Sequence, residues 1–235
     1  MVVFLPPFAE ELNRCRKQMA ETARRLASLG RSVLIPDLYG TGDSEGEFED
    51  ATWDRWVENV RDVLAWLPPK ARLNASLIAV RMGCSLALSV LDGASDCNRK
   101  LVFWQPVLDG GDCLKQFLRV RVASGMFDGA SETIQELEER LRGGEALDVG
   151  GYRLSPSLFQ GIESLKFDSN EVDRIACQRE LNTLILHRGD NSGSGIAIGS
   201  GVGSLHRVSG DAFWRSNEVT VNPDFADLTV KVLAT

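Results

Sequence analysis

The residues with most to say about chemistry are Ala79-Val80-Arg81-Met82-Gly83, where an apolar strand pattern from Ser76 to Val80 runs into a small-residue helix pattern from Cys84 to Leu91. A strand-turn-helix of this kind makes a sharp turn that lifts its tip side chain above the sheet, and a serine at the tip with a base beside it performs acyl transfer. Here the tip is Arg81. A guanidinium stays protonated and has no lone pair for attack, so it binds and orients anions but forms no covalent intermediate. Cys84 and Ser85 lie past Gly83 and belong to the helix rather than the tip.

The elements that must position Arg81 follow from hydrophobic patterning. Val2 to Leu5, Ser32 to Pro36, Ser76 to Val80, Leu101 to Trp104, Asn182 to His187 and Leu205 to Val208 read as short apolar strands. Between them, Cys15 to Leu29, Thr52 to Leu67 and Cys84 to Leu91 carry helical spacing, and Pro223 to Leu233 reads as a closing helix. Strands that are apolar throughout and alternate with helices predict an α/β chain, a doubly wound and mostly parallel sheet covered on both faces. The rhythm breaks after the fourth strand. Helices over Leu114 to Met126, Thr133 to Arg142 and Pro156 to Leu165, with a hairpin around Gly150-Gly151, predict a cap inserted over roughly residues 106–170 of a single domain spanning 1–235. Gly189 to Gly203 is rich in glycine and serine but lacks the acidic residue and strand context of a dinucleotide fingerprint, so it reads as a surface loop.

Composition narrows the partners. With 235 residues, 43% of them hydrophobic, the chain can bury a full core. A net charge of −7 argues against non-specific binding to nucleic acid or to an anionic membrane, and leaves room only for local basic patches. The five cysteines are widely spaced with no C-x-x-C, which indicates neither a disulfide framework nor a metal site and suits a reducing cytoplasm. No apolar run reaches the roughly 18 residues of a membrane span. Nothing in the motifs asks for a cofactor.

Asp37-Leu38-Tyr39-Gly40-Thr41-Gly42-Asp43-Ser44 follows the second strand as a D-x-x-G-x-G-x-S turn. Together with the turn at Arg81, this resembles the α/β-hydrolase superfamily, entered without its first strands. Pro6-Pro7-Phe8-Ala9-Glu10-Glu11-Leu12-Asn13, Ala51-Thr52-Trp53, Phe103-Trp104-Gln105-Pro106, Gln116-Phe117-Leu118-Arg119, Gly151-Tyr152 and Phe213-Trp214 narrow the likeness. In ensemble they resemble the exosortase A system-associated hydrolase type 2 proteins. That resemblance covers most of the chain and implies a bacterial setting of exosortase/PEP-CTERM sorting and exopolysaccharide export. A pathway protein and a small anionic or acyl ligand become the expected partners.

The superfamily resemblance assigns the remaining positions. Arg81 occupies the nucleophile's place. Asp190 is the candidate acid, with Asp109 behind it, and His206 is the candidate base, while His187 falls inside a strand and reads as core. The oxyanion N–H groups would come from Met82 and from Phe8 or Ala9. Glu10 and Glu11 open a helix in the same loop, and one of them is expected to face Arg81, because a buried guanidinium left unpaired costs several kcal/mol. Trp104 and Trp214 end their segments near the carboxyl edge of the sheet, where open α/β sheets bind ligands. Two functions follow: a binding or scaffolding protein that has lost serine-hydrolase chemistry, and a hydrolase of an ester, thioester or amide with a non-standard nucleophile.

Overall fold

The computed structural model describes residues 1–92, 100–127, 132–178, 182–188, 203–216, 218 and 220–234. In chain order the elements are β1 (Val2–Leu5), α1 (Glu10–Ser28), β2 (Val33–Leu34), α2 (Trp53–Trp66), α3 (Pro69–Leu73), β3 (Ser76–Val80), α4 (Gly83–Leu91), β4 (Lys100–Trp104), α5 (Gly110–Phe127) and α6 (Ile134–Arg142). They continue with β5 (Leu147–Val149), β6 (Tyr152–Leu154), α7 (Pro156–Glu163), α8 (Ser169–Gln178), β7 (Asn182–Arg188), β8 (Gly203–Val208) and α9 (Pro223–Ala234). The chain divides into two compact units. One joins Met1–Pro36, Arg61–Val107 and Phe167–Thr235, and the other joins Asp37–Val60 to Leu108–Lys166.

The first unit holds a six-stranded sheet in the order β2-β1-β3-β4-β7-β8, and every pair in it is parallel. Successive side chains of a strand point to opposite faces. Phe4, Ile78, Val80, Val102, Trp104, Leu184 and Leu186 therefore form one face, which packs with Cys15, Met19 and Leu26 of α1 and with Phe225 and Leu233 of α9. Val3, Leu5, Leu77, Ala79, Leu101, Phe103 and Ile185 are buried on the other. There α4 packs on β1 and β3, and α8 packs on α4. Burial on both faces is why the central strands carry no polar alternation.

Two expectations need correction here. The strand expected over Ser32 to Pro36 shrinks to Val33–Leu34, because β2 is an edge strand with one neighbour and Pro36 has no N–H to donate. No helix is expected between Leu67 and Ser76 or between Leu165 and Asn182, and α3 and α8 form there.

The second unit contains α5, α6, α7 and the β5–β6 hairpin. Gly150 and Gly151 turn that hairpin with φ of 56° and 86°, values that a Gly-Gly pair adopts without strain. Tyr152 lies between Phe48 and Phe117, with ring centroids 5.0 and 6.2 Å away. Thr133 and Glu136 cap α6 reciprocally. Asp37 accepts the Asp43 N–H at 3.1 Å and sits where a Cβ on Gly42 would be 2.3 Å from its carboxylate, so the D-x-x-G-x-G turn closes on its own acid.

Candidate functional site

Arg81 leaves β3 with φ of 54°, a left-handed conformation that costs a non-glycine residue about 1–3 kcal/mol. Ala9, just past β1, and Gln105, just past β4, do the same with φ of 48° and 44°. Because β1, β3 and β4 are neighbours, the three strained residues stand at the carboxyl ends of three adjacent strands. Strain is held this way only where surrounding structure over-determines it. The Arg81 N–H donates to the Trp104 carbonyl at 2.9 Å, and the Arg81 carbonyl accepts from Cys84 N at 3.1 Å and Val107 N at 3.2 Å. Gln105 N donates to the Leu186 carbonyl at 2.7 Å, and the Gln105 side-chain oxygen accepts from Arg188 N at 2.7 Å. Gly83 lets α4 start hard against the chain leaving β1. A Cβ there would sit 2.4 Å from the Leu5 carbonyl oxygen and 2.7 Å from that of Pro6.

The Arg81 side chain does not project into water, since the residue is only 4% exposed. Its Nε donates to both carboxylate oxygens of Glu11, at 3.0 and 3.2 Å, and Nη2 lies 3.0 Å from Glu11 Oε1. Nη1 donates to the Gln105 carbonyl at 3.2 Å, and the guanidinium stands 5.5 Å from the Trp214 ring centroid. A fork-shaped cation is thus matched to a carboxylate in the planar geometry that suits both. Glu10 faces elsewhere: it accepts from Asn13 Nδ2 at 3.0 Å and lies 3.6 Å from Arg14 Nε. Two consecutive residues point about 100° apart on a helix, so only one glutamate can meet the turn.

The neighbouring nucleophile candidates are engaged. Ser85 is buried and its hydroxyl donates to the Val107 carbonyl at 2.8 Å. The Cys84 thiol contacts the Ala79 carbonyl at 3.2 Å, and burial pushes its pKa well above the ordinary value, so its reactive thiolate is suppressed. Cys15 is shifted the same way, by burial first and then by the Glu11 charge. Met82 is the N-cap residue of α4, and Phe8 and Ala9 are buried at the end of β1.

Of the expected triad partners, His206 is not brought to Arg81. His206 is an exposed residue midway along the edge strand β8. It lies in the row Val80–Trp104–Leu186–His206, three strand spacings or about 14 Å from Val80 at the backbone. His187 is half-buried rather than core, and Asp190 lies outside the described residues. Asp109 accepts the Asp112 N–H at 3.0 Å at the start of α5, and its other oxygen lies 3.7 Å from Lys166. Trp104 is corrected outright as a ligand-lining residue. It is fully buried, its Nε1 donates to Thr229 Oγ1 at 2.8 Å, and its ring meets Phe4, Phe213 and Phe225 edge-on. Gln105 was missed as an Arg81 partner; its one sequence signal is a polar residue before proline, immediately after an apolar strand.

No protein-family model matches the chain, and no curated protein matches it. Solved structures do. Est1E from Butyrivibrio proteoclasticus, in a structure with ferulic acid bound, is similar at a TM-score of 0.60 and 14% identity, covering 100% of this chain and 89% of that one. Mouse alpha/beta hydrolase domain-containing protein 10 is similar at a TM-score of 0.59 and 15% identity, over 99% of this chain and 87% of that one. An extracellular alpha/beta-hydrolase from a Paenibacillus species is similar at 0.54 and 18% identity, over 98% and 97%. At such identities the likeness is one of fold, and the fold is that of the α/β-hydrolases.

Proposed function

We propose that this chain is an α/β-hydrolase-fold protein without Ser-His-Asp chemistry, in which Arg81 and Glu11 plug the position of the nucleophile and the protein works by binding or scaffolding. The observation that carries this reading is the buried Arg81 guanidinium, bonded through Nε to both oxygens of Glu11 on a turn that keeps its strained backbone. A cation so held can neither attack a carbonyl nor take a proton from a nucleophile. Ser85 and Cys84, the nearest replacements, have their hydrogens committed to backbone carbonyls, which weighs against a displaced nucleophile.

A carboxylate or phosphate ligand reaches the guanidinium only by exchanging with Glu11, whose side chain is 26% exposed. The sequence resemblance supplies the setting, a bacterial exosortase and exopolysaccharide-export system with a pathway protein as partner. The free thiols of Cys15, Cys84 and Cys113 suit the reducing cytoplasm in which we place the protein. No helix among the described residues is long and apolar enough to cross a membrane.

Incubation with a fluorophosphonate probe and a panel of esters, thioesters and amides tests the reading. Neither labelling nor turnover above background is expected, whereas stoichiometric labelling of Ser85 or Cys84 overturns it. Arg81→Ala separates the two modes of action. It abolishes binding of a carboxylate or phosphate ligand if exchange with Glu11 operates, and it leaves partner binding intact if the pair is only a plug.

A further inference from the structure

The first unit carries a second feature at the opposite end of its sheet. Leu29 closes α1, Trp66 ends α2 and Leu73 ends α3, and these three side chains are 53%, 73% and 56% exposed. Strand register fixes where they lie. Val2 pairs with both Val33 and Ser76, Val2 N donates to the Ser32 carbonyl, and Ser76 N donates to that of Met1. The chain therefore enters β2 just after Leu29, and β3 just after Leu73, on either side of the start of β1. Those entries are two strand spacings apart, about 10 Å. Arg72 ties Trp66 to the same edge by donating to the carbonyls of Ala65 and Leu67, the residues that flank it.

Cations surround these apolar tips. No Asp or Glu occurs from Thr22 to Pro36 or from Val63 to Val80, whereas those stretches hold Arg24, Arg25, Arg31, Lys70 and Arg72. Lys100 at the start of β4 adds another, its Nζ donating to the Val232 carbonyl at 2.9 Å near the end of α9. Arg25 is paired with Asp227, and Asp62 stands one turn before Trp66. Arg31 and Arg72 instead donate to neutral carbonyls, which fix their positions without cancelling their charge. Asp92 at the end of α4 is paired with Arg174, so among the described residues this edge is locally basic on a chain of net charge −7.

We infer that this edge docks on a membrane surface bearing anionic phospholipid headgroups. A tryptophan and two leucines, standing singly among cations, match the interface between headgroups and acyl chains, where apolar tips insert and Lys or Arg meets phosphate. The same three side chains fall short of the roughly 800 Å² per partner of a stable protein interface. The inference is independent of the state of Arg81, because the two sites stand at opposite ends of the strands.

Trp66 is its own reporter, since Trp53, Trp56, Trp104 and Trp214 are all buried. The intact protein is mixed at low salt with vesicles of phosphatidylcholine alone, or with one third phosphatidylglycerol, carrying brominated acyl chains. Co-sedimentation and fluorescence quenching are expected with the anionic vesicles only, and both decline as salt is raised. Lys70→Gln and Arg24→Gln each lower the partition coefficient about fivefold, and Trp66→Ala removes the quenching. All three replaced side chains are exposed, and circular dichroism verifies that each variant is folded. Absence of binding to anionic vesicles at low salt, or binding that none of the variants alters, overturns the inference. Concentration-dependent dimerisation lost in Trp66→Ala, without vesicle binding, assigns the edge to a second copy and overturns it equally.

Discussion

Replacing Glu11 with alanine isolates what the Arg81 pair does for the fold. The guanidinium would keep its bond to the Gln105 carbonyl and its place over Trp214, but the carboxylate that neutralises it would be gone. Breaking a fully buried pair from one side costs about 3–5 kcal/mol, because an uncompensated charge is left behind. Glu11 is itself 26% exposed, so water reaches part of the vacated space, and the expected cost falls to about 2–3 kcal/mol. For a chain of this size that lowers Tm by roughly 5–10 °C. Urea unfolding followed by circular dichroism reads the change as a lower midpoint at unchanged slope. Arg81→Ala costs a similar amount, since it removes the pair and the ring contact together. The double variant costs about 2 kcal/mol less than the sum of the singles, because the pair is lost only once. A Glu11→Ala midpoint within about 0.5 kcal/mol of the parent would refute the reasoning, showing that the charge is solvated without its partner.

Three further outcomes follow from the same geometry. Cys15 and Cys84 hold their protons above the ordinary thiol value of 9.0 in the folded chain, so the unfolded chain binds fewer protons beyond that pH. Stability should therefore be unaffected by these thiols below it and fall above it, by at most about 1.4 kcal/mol per pH unit for each thiol, in urea titrations at successive alkaline pH values. Gly83→Ala forces a Cβ within 2.4 Å of the Leu5 carbonyl, which no side-chain rotation relieves; a loss of about 3 kcal/mol or failure to accumulate as folded protein is expected on expression and thermal melting. Thr133→Ala removes half of the capping box on α6 and should cost about 1 kcal/mol in chemical unfolding.

Much of the sheet was legible because burial on both faces leaves a plain mark. Val2–Leu5, Ser76–Val80 and Lys100–Trp104 are apolar runs bounded by breakers, and each is a strand within a residue of its expected limits. The short edge strand β2 was overdrawn, since a run such as Val33-Leu34-Ile35 looks the same whether it has one neighbour or two. Helix α8 went unread despite an Asp168 whose carboxylate accepts the Glu171 N–H at 2.9 Å, because its apolar residues, Val172, Ile175 and Ala176, are few and interrupted. Trp104 was misplaced for a related reason. Sequence puts it at the end of a strand, but only the packing of α9 and of the turn after β8 shows Thr229 and Phe225, and Phe213, closing around the indole.

At the site, the sequence by itself determined the residue at the turn and the kind of partner it requires. An arginine between a strand and a small-residue helix, with two glutamates after the first strand, implies a charge pair whatever the details. Only the tertiary structure decided that Glu11 rather than Glu10 supplies it. The choice depends on the rotation of α1, which starts directly after Ala9 at φ of 48°, a backbone state that an alanine does not announce. The Gln105 carbonyl and the Trp214 ring are equally invisible in one dimension, lying 24 and 133 residues from Arg81 in the chain. Local pattern sets which strands form. What converges at their carboxyl ends is set by strand order and by strained turns, and both are properties of the assembled sheet.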